Sequence, residues 1–434
     1  MVDTLYANEK PGDYPPSYYQ ATATATPPFD PLKGDLDVDV CVIGAGFTGL
    51  SAALHLRQAG FRVAVLDAHR VGWGASGRNG GQVGTGQRMD QMSLEELMGR
   101  DDAMKLWAIA EDAKTLVADL IAEHGIDCGY QAGVMEVNHK RRYSAETRDY
   151  VEHLQTHYDY DKVRYVPQDE LRSLMATEDY YDGALDMGAG HLHPLRFAFG
   201  LARACDAAGV SIFERSEALS VEENARVEVK TAQGRIRADY LVMAVNGYCN
   251  GLNKRVTQRV MPINNYIIAT EPLGEERARS LIANNAAVAD SRFVVNYFRL
   301  SDDRRLLFGG RESYRYRFPG DIKSYVRKAM LRVYPQLAEA RIDYGWGGVV
   351  GVTLNRLPYF EWLSPRMATL GGYSGHGVAL ATLGGALAAE AIGGVAERFS
   401  LMEKMPTQVF PGGGAMQWPL LALGMTYYSL RDKI

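Results

Sequence analysis

Residues 38–67, VDVCVIGAGFTGLSAALHLRQAGFRVAVLD, decide the fold. VDVCVI (38–43) is a short apolar run bounded by turn residues, which predicts a buried strand. GAGFTG follows at its tip. Leu50, Ala53 and Leu54 then recur at helical spacing, and Gly60 stands where a helix ends. RVAVLD (62–67) predicts a second strand and completes a βαβ unit of about thirty residues. Each glycine of the turn has its own task. Gly44 permits the tight turn, Gly46 lets backbone approach a pyrophosphate, and Gly49 lets helix pack closely on strand. Phe47 and Thr48 open the helix, whose free N–H groups and partial positive charge favour phosphate. Asp67 closes the second strand, 18 residues past Gly49, where a ribose hydroxyl would be gripped. Strand, fingerprint, helix, strand and terminal acid in this order predict a dinucleotide site.

Working outward, GWGASGRNGGQVGTG (72–86) places seven glycines in fifteen positions. A slack linker there would separate the nucleotide site from its own domain. The stretch reads instead as backbone lying along a flat ligand. Residues 91–125 carry apolar side chains at three- and four-residue steps and are expected to be helical. Another helix begins after Pro194 and ends at Gly209. The strands SIFE, ARVEVKT and RIRADYLVMAV follow, so the nucleotide domain resumes after an insertion. From about 256 to 343 strands and turns dominate, with SDDR as a hairpin turn between VVNYFRL and RLLFGG. Tyr297 and Arg299 then share one strand face and Phe298 takes the other. Residues 367–394 repeat strand, glycine turn and helix.

The expected fold is α/β, α+β overall: a Rossmann-like domain interleaved with an antiparallel-sheet substrate domain. Residues 1–90, 186–255 and 344–400 are assigned to the first, 91–185 and 256–343 to the second, and 401–434 to a C-terminal extension.

Composition narrows the partners. Of 434 residues 47% are hydrophobic and 23% charged, which suits a globular chain rather than a disordered one. The net charge of -5 argues against nucleic acid. No secretory signal opens the chain and no apolar run spans a bilayer, so WPLLALGMTYY (418–428) is read as core packing and membrane contact is not expected. Scattered cysteines without CxxC pairing fit a cytoplasmic protein. His191 and His193 have no third partner at metal-ligand spacing; they are read as structural groups at the start of a helix, and no metal is expected.

DVCVIGAGFTGLSAALHL, VGWGASGRNGGQ, NYFRLSDDRRLLFGGR and GYSGHGVALATLGG together resemble the D-amino-acid oxidase superfamily of FAD-dependent amine oxidoreductases. SYYQATAT (17–24) and FPGGGAMQWPLLALGMTYYSLRDKI (410–434) are similar to its gamma-glutamylputrescine oxidase branch. The resemblance implies FAD as cofactor. Asp67 would hold the adenosine ribose, where the family often has Glu, and backbone at Leu219 would meet the adenine. Gly74, Ala75, Ser76, Arg78, Asn79, Gly80, Gly81 and Gln82 would run beside the flavin, with Ser76, Arg78 and Asn79 as polar contacts. Gly375, His376, Gly377 and Val378 would approach its N1–C2 carbonyl edge. A helix beginning there aims its positive end at the locus that gains negative charge on reduction, and a protonated His376 would add to it. Relatives that attach FAD covalently use a Cys that GWGGVVGVTLNRLP (345–358) lacks, so non-covalent FAD is expected.

The implied reaction passes hydride from an amine C–H to flavin N5, after which the imine hydrolyses to aldehyde and ammonia and molecular oxygen restores FAD with release of hydrogen peroxide. Tyr297, Arg299 and His376 are the candidate catalytic residues. Arg299 or Arg311 would stand where some relatives use a lysine toward oxygen, since residues 293–311 contain none. Two alternatives are a flavin dehydrogenase of a cyclic or secondary amino acid such as pipecolate, reducing a membrane quinone, and a flavin-binding protein without turnover. The sequence leaves oligomeric state open.

Overall fold

The computed structural model describes residues 4–10, 12–313 and 317–411. The apolar patch 418–428 and most of the C-terminal extension lie outside the described residues. Within them the strands are β1 (Gly34–Ile43), β2 (Val63–Leu66), β3 (Gln82–Val83), β4 (Gln131–Asn138), β5 (Val163–Val166), β6 (Asp182–His191), β7 (Ser211–Phe213), β8 (Ser220–Glu223), β9 (Val227–Lys230), β10 (Gly234–Met243), β11 (Met261–Thr270), β12 (Ala287–Asp290), β13 (Tyr297–Leu300), β14 (Leu306–Ser313), β15 (Ile342–Val352), β16 (Tyr359–Ser364) and β17 (Met367–Gly371).

The first sheet runs β16-β17-β10-β1-β2-β7, with the β8–β9 hairpin on the early part of β10. Its centre is parallel: β1 pairs β10 and β2, and β10 pairs β17. Helices cover both faces of such a sheet, so β1 ends on an unbroken buried run, Val40 to Ile43, rather than an alternating one. The helix Phe47–Gln58 crosses from β1 toward β2 as the fingerprint predicts, and packs against the buried helix Gly377–Ile392. Gly385 sets their spacing, because a Cβ there would stand 2.3 Å from the Thr48 carbonyl oxygen.

The second sheet runs β15-β11-β14-β13-β12-β4-β6-β3, with β5 on β6. It is antiparallel except where β12 joins β4. The helix Ile322–Val333 buries Val326, Met330 and Val333 beneath it, beside Phe298 and Phe308 of the strands.

Three expectations change. The helix expected over 91–125 is two, Gln91–Met98 and Arg100–Glu123, broken where Gly99 takes φ +80°. Residues 344–352 belong with the second sheet, since β15 pairs β11 along its whole length. The 90/91 and 185/186 boundaries also shift, because β3 and all of β6 lie in that sheet as well. The chain therefore passes between the sheets inside the glycine-rich segment rather than after it.

Candidate active site

The two sheets enclose a cavity of about 1490 Å³ that reaches from Asp67 and Leu219 at one end to Glu136 and Tyr150 at the other. Drug-sized pockets span roughly 300–1,000 Å³, so this one has room for more than one small molecule.

At the first end, Gly44 holds φ +107° and a Cβ would approach the Ala244 carbonyl oxygen to 2.7 Å. A Cβ on Gly49 would stand 1.8 Å from the Gly44 oxygen. These contacts require glycine, and they open the start of the helix Phe47–Gln58 to the cavity. No side chain of Gly46 caps that start, and Gly46, Phe47 and Thr48 line the void. Ser76 Oγ accepts from the Phe47 N–H at 2.9 Å, which ties the glycine-rich segment to the helix and leaves the hydroxyl proton free to donate. Asp67 accepts from the Ala45 N–H (2.7 Å) and the His69 N–H (2.8 Å). Burial pushes its pKa up to about 6, against the pull of those two donors. Each carboxylate oxygen keeps a second lone pair for a hydroxyl.

A second helix start meets the same cavity. Gly377–Ile392 begins at His376 without a side-chain cap, and Gly375, His376, Gly377 and Val378 line the wall. Tyr373 Oη and Thr48 Oγ1 lie 2.8 Å apart and couple the two starts. Between them Ser374 is held at φ +51°, with its hydroxyl bonded to Gly372 O and receiving Thr353 N–H. Such strain in a non-glycine residue collects at functional sites. The ring of His376 is held in place at this helix start. Its Nε2 donates to Gly86 O at 3.2 Å, and burial, followed by the field of Arg88, pushes its pKa down to about 4. Gly84 is a glycine for this ring, since a Cβ would stand 2.3 Å from its Cε1.

The expected flavin-side segment divides. Gly74, Ala75, Ser76, Asn79, Gly80 and Gln82 line the cavity. Asn79 staples its own loop through Ala75 O, Ser76 O and Gly81 N–H, and Gln82 donates to Val288 O. Gly81 sits behind the wall, where a Cβ would strike Leu192 O. Arg78 is corrected. Although it borders the cavity, its guanidinium is spent on Glu9, Trp73 O and Gly347 O and lies over the Trp73 ring. Leu219 lines the cavity, with its N–H donating to Lys230 O in the β8–β9 hairpin.

Of the catalytic candidates, Tyr297 lines the cavity. Its ring fits between Gly80 and Gly309, its hydroxyl donates to Asn265 Oδ1, and burial keeps the phenol neutral. Arg299 does not reach the cavity. It donates to Gly80 O, Leu192 O and Leu300 O, knitting the glycine-rich segment to β13. Arg311, also on the second sheet, is exposed and lies over the Tyr325 ring. His193 caps the helix Pro194–Ala207 by accepting from the Arg196 N–H, and His191 bonds Asn285 O. Among the described residues no helix is long and apolar enough to cross a membrane.

Sequence reasoning missed Arg88 and Glu136, which also line the cavity, Arg88 beside the second helix start. Arg88 ends the glycine-rich segment. Glu136 is the charged residue inside the otherwise apolar run GVMEV, a pattern that marks a strand face turned toward a polar void.

Comparison with known proteins accounts for this arrangement. Residues 39–391 match the family described as FAD dependent oxidoreductase. The chain is 40% identical over 418 residues to the probable oxidoreductase OrdL of Rhizobium meliloti strain 1021, covering 96% of this chain and 97% of that one. It is 38% identical over 419 residues to gamma-glutamylputrescine oxidoreductase of Escherichia coli K12, covering 96% and 98%. Glycine oxidase of Bacillus cereus ATCC 14579 shares the fold, with a TM-score of 0.70 at 19% identity over 86% of this chain and 99% of that one. A glycine cradle at the tip of a parallel sheet, two helix starts on one cavity and these likenesses agree: the chain belongs to the DAO family of FAD-dependent oxidoreductases.

Proposed function

We propose that the enzyme oxidises the primary amine of a γ-glutamylated polyamine, such as γ-glutamylputrescine, to the aldehyde. The observation that carries this reading is the near end-to-end likeness to the Escherichia coli gamma-glutamylputrescine oxidoreductase. A cavity that continues past the glycine cradle to charged walls supports it, since an extended polar substrate needs that length.

Gly44, Gly46, Thr48, Asp67 and Ser76 are the residues that would hold the dinucleotide, and Gly375 to Val378 would meet the ring edge. Bound there, FAD supplies a hydride acceptor at N5 that molecular oxygen regenerates, so amine, oxygen and water give aldehyde, ammonia and hydrogen peroxide. The protein's part is electrostatic and steric. The start of the helix Gly377–Ile392 favours negative charge at the ring edge. His376, being neutral, contributes shape and one hydrogen bond. Val134 and the Tyr297 ring present apolar surface to the cavity, which favours the unprotonated amine that hydride loss requires. Attachment of FAD is non-covalent in this reading, and four buried cysteines with free thiols support a cytoplasmic setting.

Purified enzyme is screened for peroxide against free and γ-glutamylated polyamines, simple amines and amino acids, and precipitated with acid. Peroxide from γ-glutamylputrescine and yellow colour in the supernatant are expected. Turnover of free but not glutamylated amines overturns the substrate, and flavin retained in the pellet overturns non-covalent binding.

A further inference from the structure

Two opposite charges on the cavity wall, Arg88 and Glu136, have no ion pair among the described residues. Three buried cations elsewhere are paired with carboxylates. Lys114 meets Glu111, Thr85 and Tyr160; Arg78 meets Glu9; Arg292 bridges Asp290 and Asp179. Arg88, half-buried on the cavity wall, donates only Nε to Ser374 O, at 3.3 Å, and forms no ion pair among the described residues. Arg356, on the same cavity, stacks on the Phe293 ring and adds positive field at Arg88, which Glu136 and Glu312 oppose.

Glu136 is the complement. The β4 alternation sends Met135 into the core and Val134 and Glu136 to the cavity. Its cross-strand neighbours are Ala289 on β12 and Ala184 on β6, both lining the void, so small side chains leave open space around the carboxylate. The carboxylate has no hydrogen bond or ion pair among the described residues. Arg88 is the leading charge that acts on it, with Asp186 opposing, yet the two do not touch. Glu136 is exposed to the cavity and Arg88 is half-buried at its wall, so both charges are open to whatever enters. Two of opposite sign, facing one void without contact, fit a ligand that carries both signs.

We propose that Arg88 and Glu136 form a head-group site for an α-amino-acid zwitterion, Arg88 taking the carboxylate and Glu136 the ammonium, so that the enzyme selects amines carrying such a head over free diamines. This rests on the amine-oxidising reading of the same cavity. Arg88 offers a planar fork that suits a carboxylate, which a lysine would not reproduce.

The test uses FAD-loaded enzyme and two probes. γ-Glutamyl-n-butylamide has the head and no terminal amine on its butyl arm; N-acetylputrescine has the amine and no head. In Arg88→Gln and Glu136→Gln, calorimetry should show the Kd for γ-glutamyl-n-butylamide raised about thirtyfold or more. For the same variants kcat/KM for γ-glutamylputrescine should fall, through KM, about thirtyfold further than for N-acetylputrescine. Arg88→Lys should fall between wild type and Arg88→Gln, and it replaces Arg88→Gln if that variant does not load FAD. Probe binding absent in wild type, or within about threefold of wild type in the variants, overturns the proposal, as does an equal loss for both substrates. If no amine yields peroxide while the probe still separates wild type from variants, the oxidase reading fails and the head-group site stands.

Discussion

A buried guanidinium must find acceptors, and where it finds them decides whether it serves the fold or a ligand. Arg78 and Arg299 look alike in sequence to any cation beside a glycine-rich segment. The folded chain gives Arg78 a carboxylate and two carbonyls, and Arg299 three carbonyls. Replacing Arg78 by Ala strands the half-buried Glu9 and uncovers those carbonyls, so a loss of about 3 kcal/mol or more is expected, read as a fall in Tm with weakened FAD retention. Arg78→Lys should recover little, since one ammonium cannot serve the same fork. His376 offers a test with a definite sign. Its folded pKa, about 4, lies below its ordinary 6.5, so the native state binds fewer protons than the unfolded chain. The stability it contributes is whole above pH 6.5 and is lost as pH falls through 6.5 toward 4. Apoprotein Tm should therefore decline less between these values in His376→Gln than in wild type, the difference reaching at most about 3 kcal/mol and less where water enters the cavity. The kcat/KM profile of that variant should keep its limbs at the same pH, because an imidazole already neutral has no charge to lose.

Elements bring the helix starts together. Phe47–Gln58 and Gly377–Ile392 stand more than three hundred residues apart in the chain and touch at Gly385. Gly385→Ala would push a methyl against the Thr48 carbonyl and Ala52 N–H and wedge the helices apart, for about 1–3 kcal/mol of stability. The more telling readout is FAD affinity, which should weaken because both helix starts shift relative to one ligand; unchanged affinity with lowered Tm would separate packing from cofactor binding. Element boundaries were partly legible. The hairpin at SDDR and the cap at His193 follow from local chemistry. The break at Gly99 carried a signal too, a glycine followed by Asp101 and Asp102 in the first turn of a new helix. β15 carried none, because GWGGVVGV joins the second sheet through non-local pairing with β11.

At the scale of the molecule, the cavity exists only because two sheets close over it. FAD bound across that junction should stabilise the folded chain by mass action, about 2.7 kcal/mol at a hundredfold excess over Kd. Thermal unfolding of apo and FAD-loaded protein should show that rise, and hydrogen exchange should slow at both helix starts and at β13, beside Tyr297. Protection confined to the first sheet would mean that the second does not meet the cofactor. The sequence by itself determined the βαβ cradle, the dinucleotide and the second glycine-led helix, because turn, helix start and terminal acid lie within a few tens of residues and act through backbone geometry. Only the tertiary structure decided which charges are spent. Arg78 reaches an acceptor 269 residues away and Arg299 one 219 residues away, whereas Arg88 and Glu136 line the cavity with no ion pair among the described residues. Pairing between distant side chains depends on how the sheets close, which no local pattern encodes.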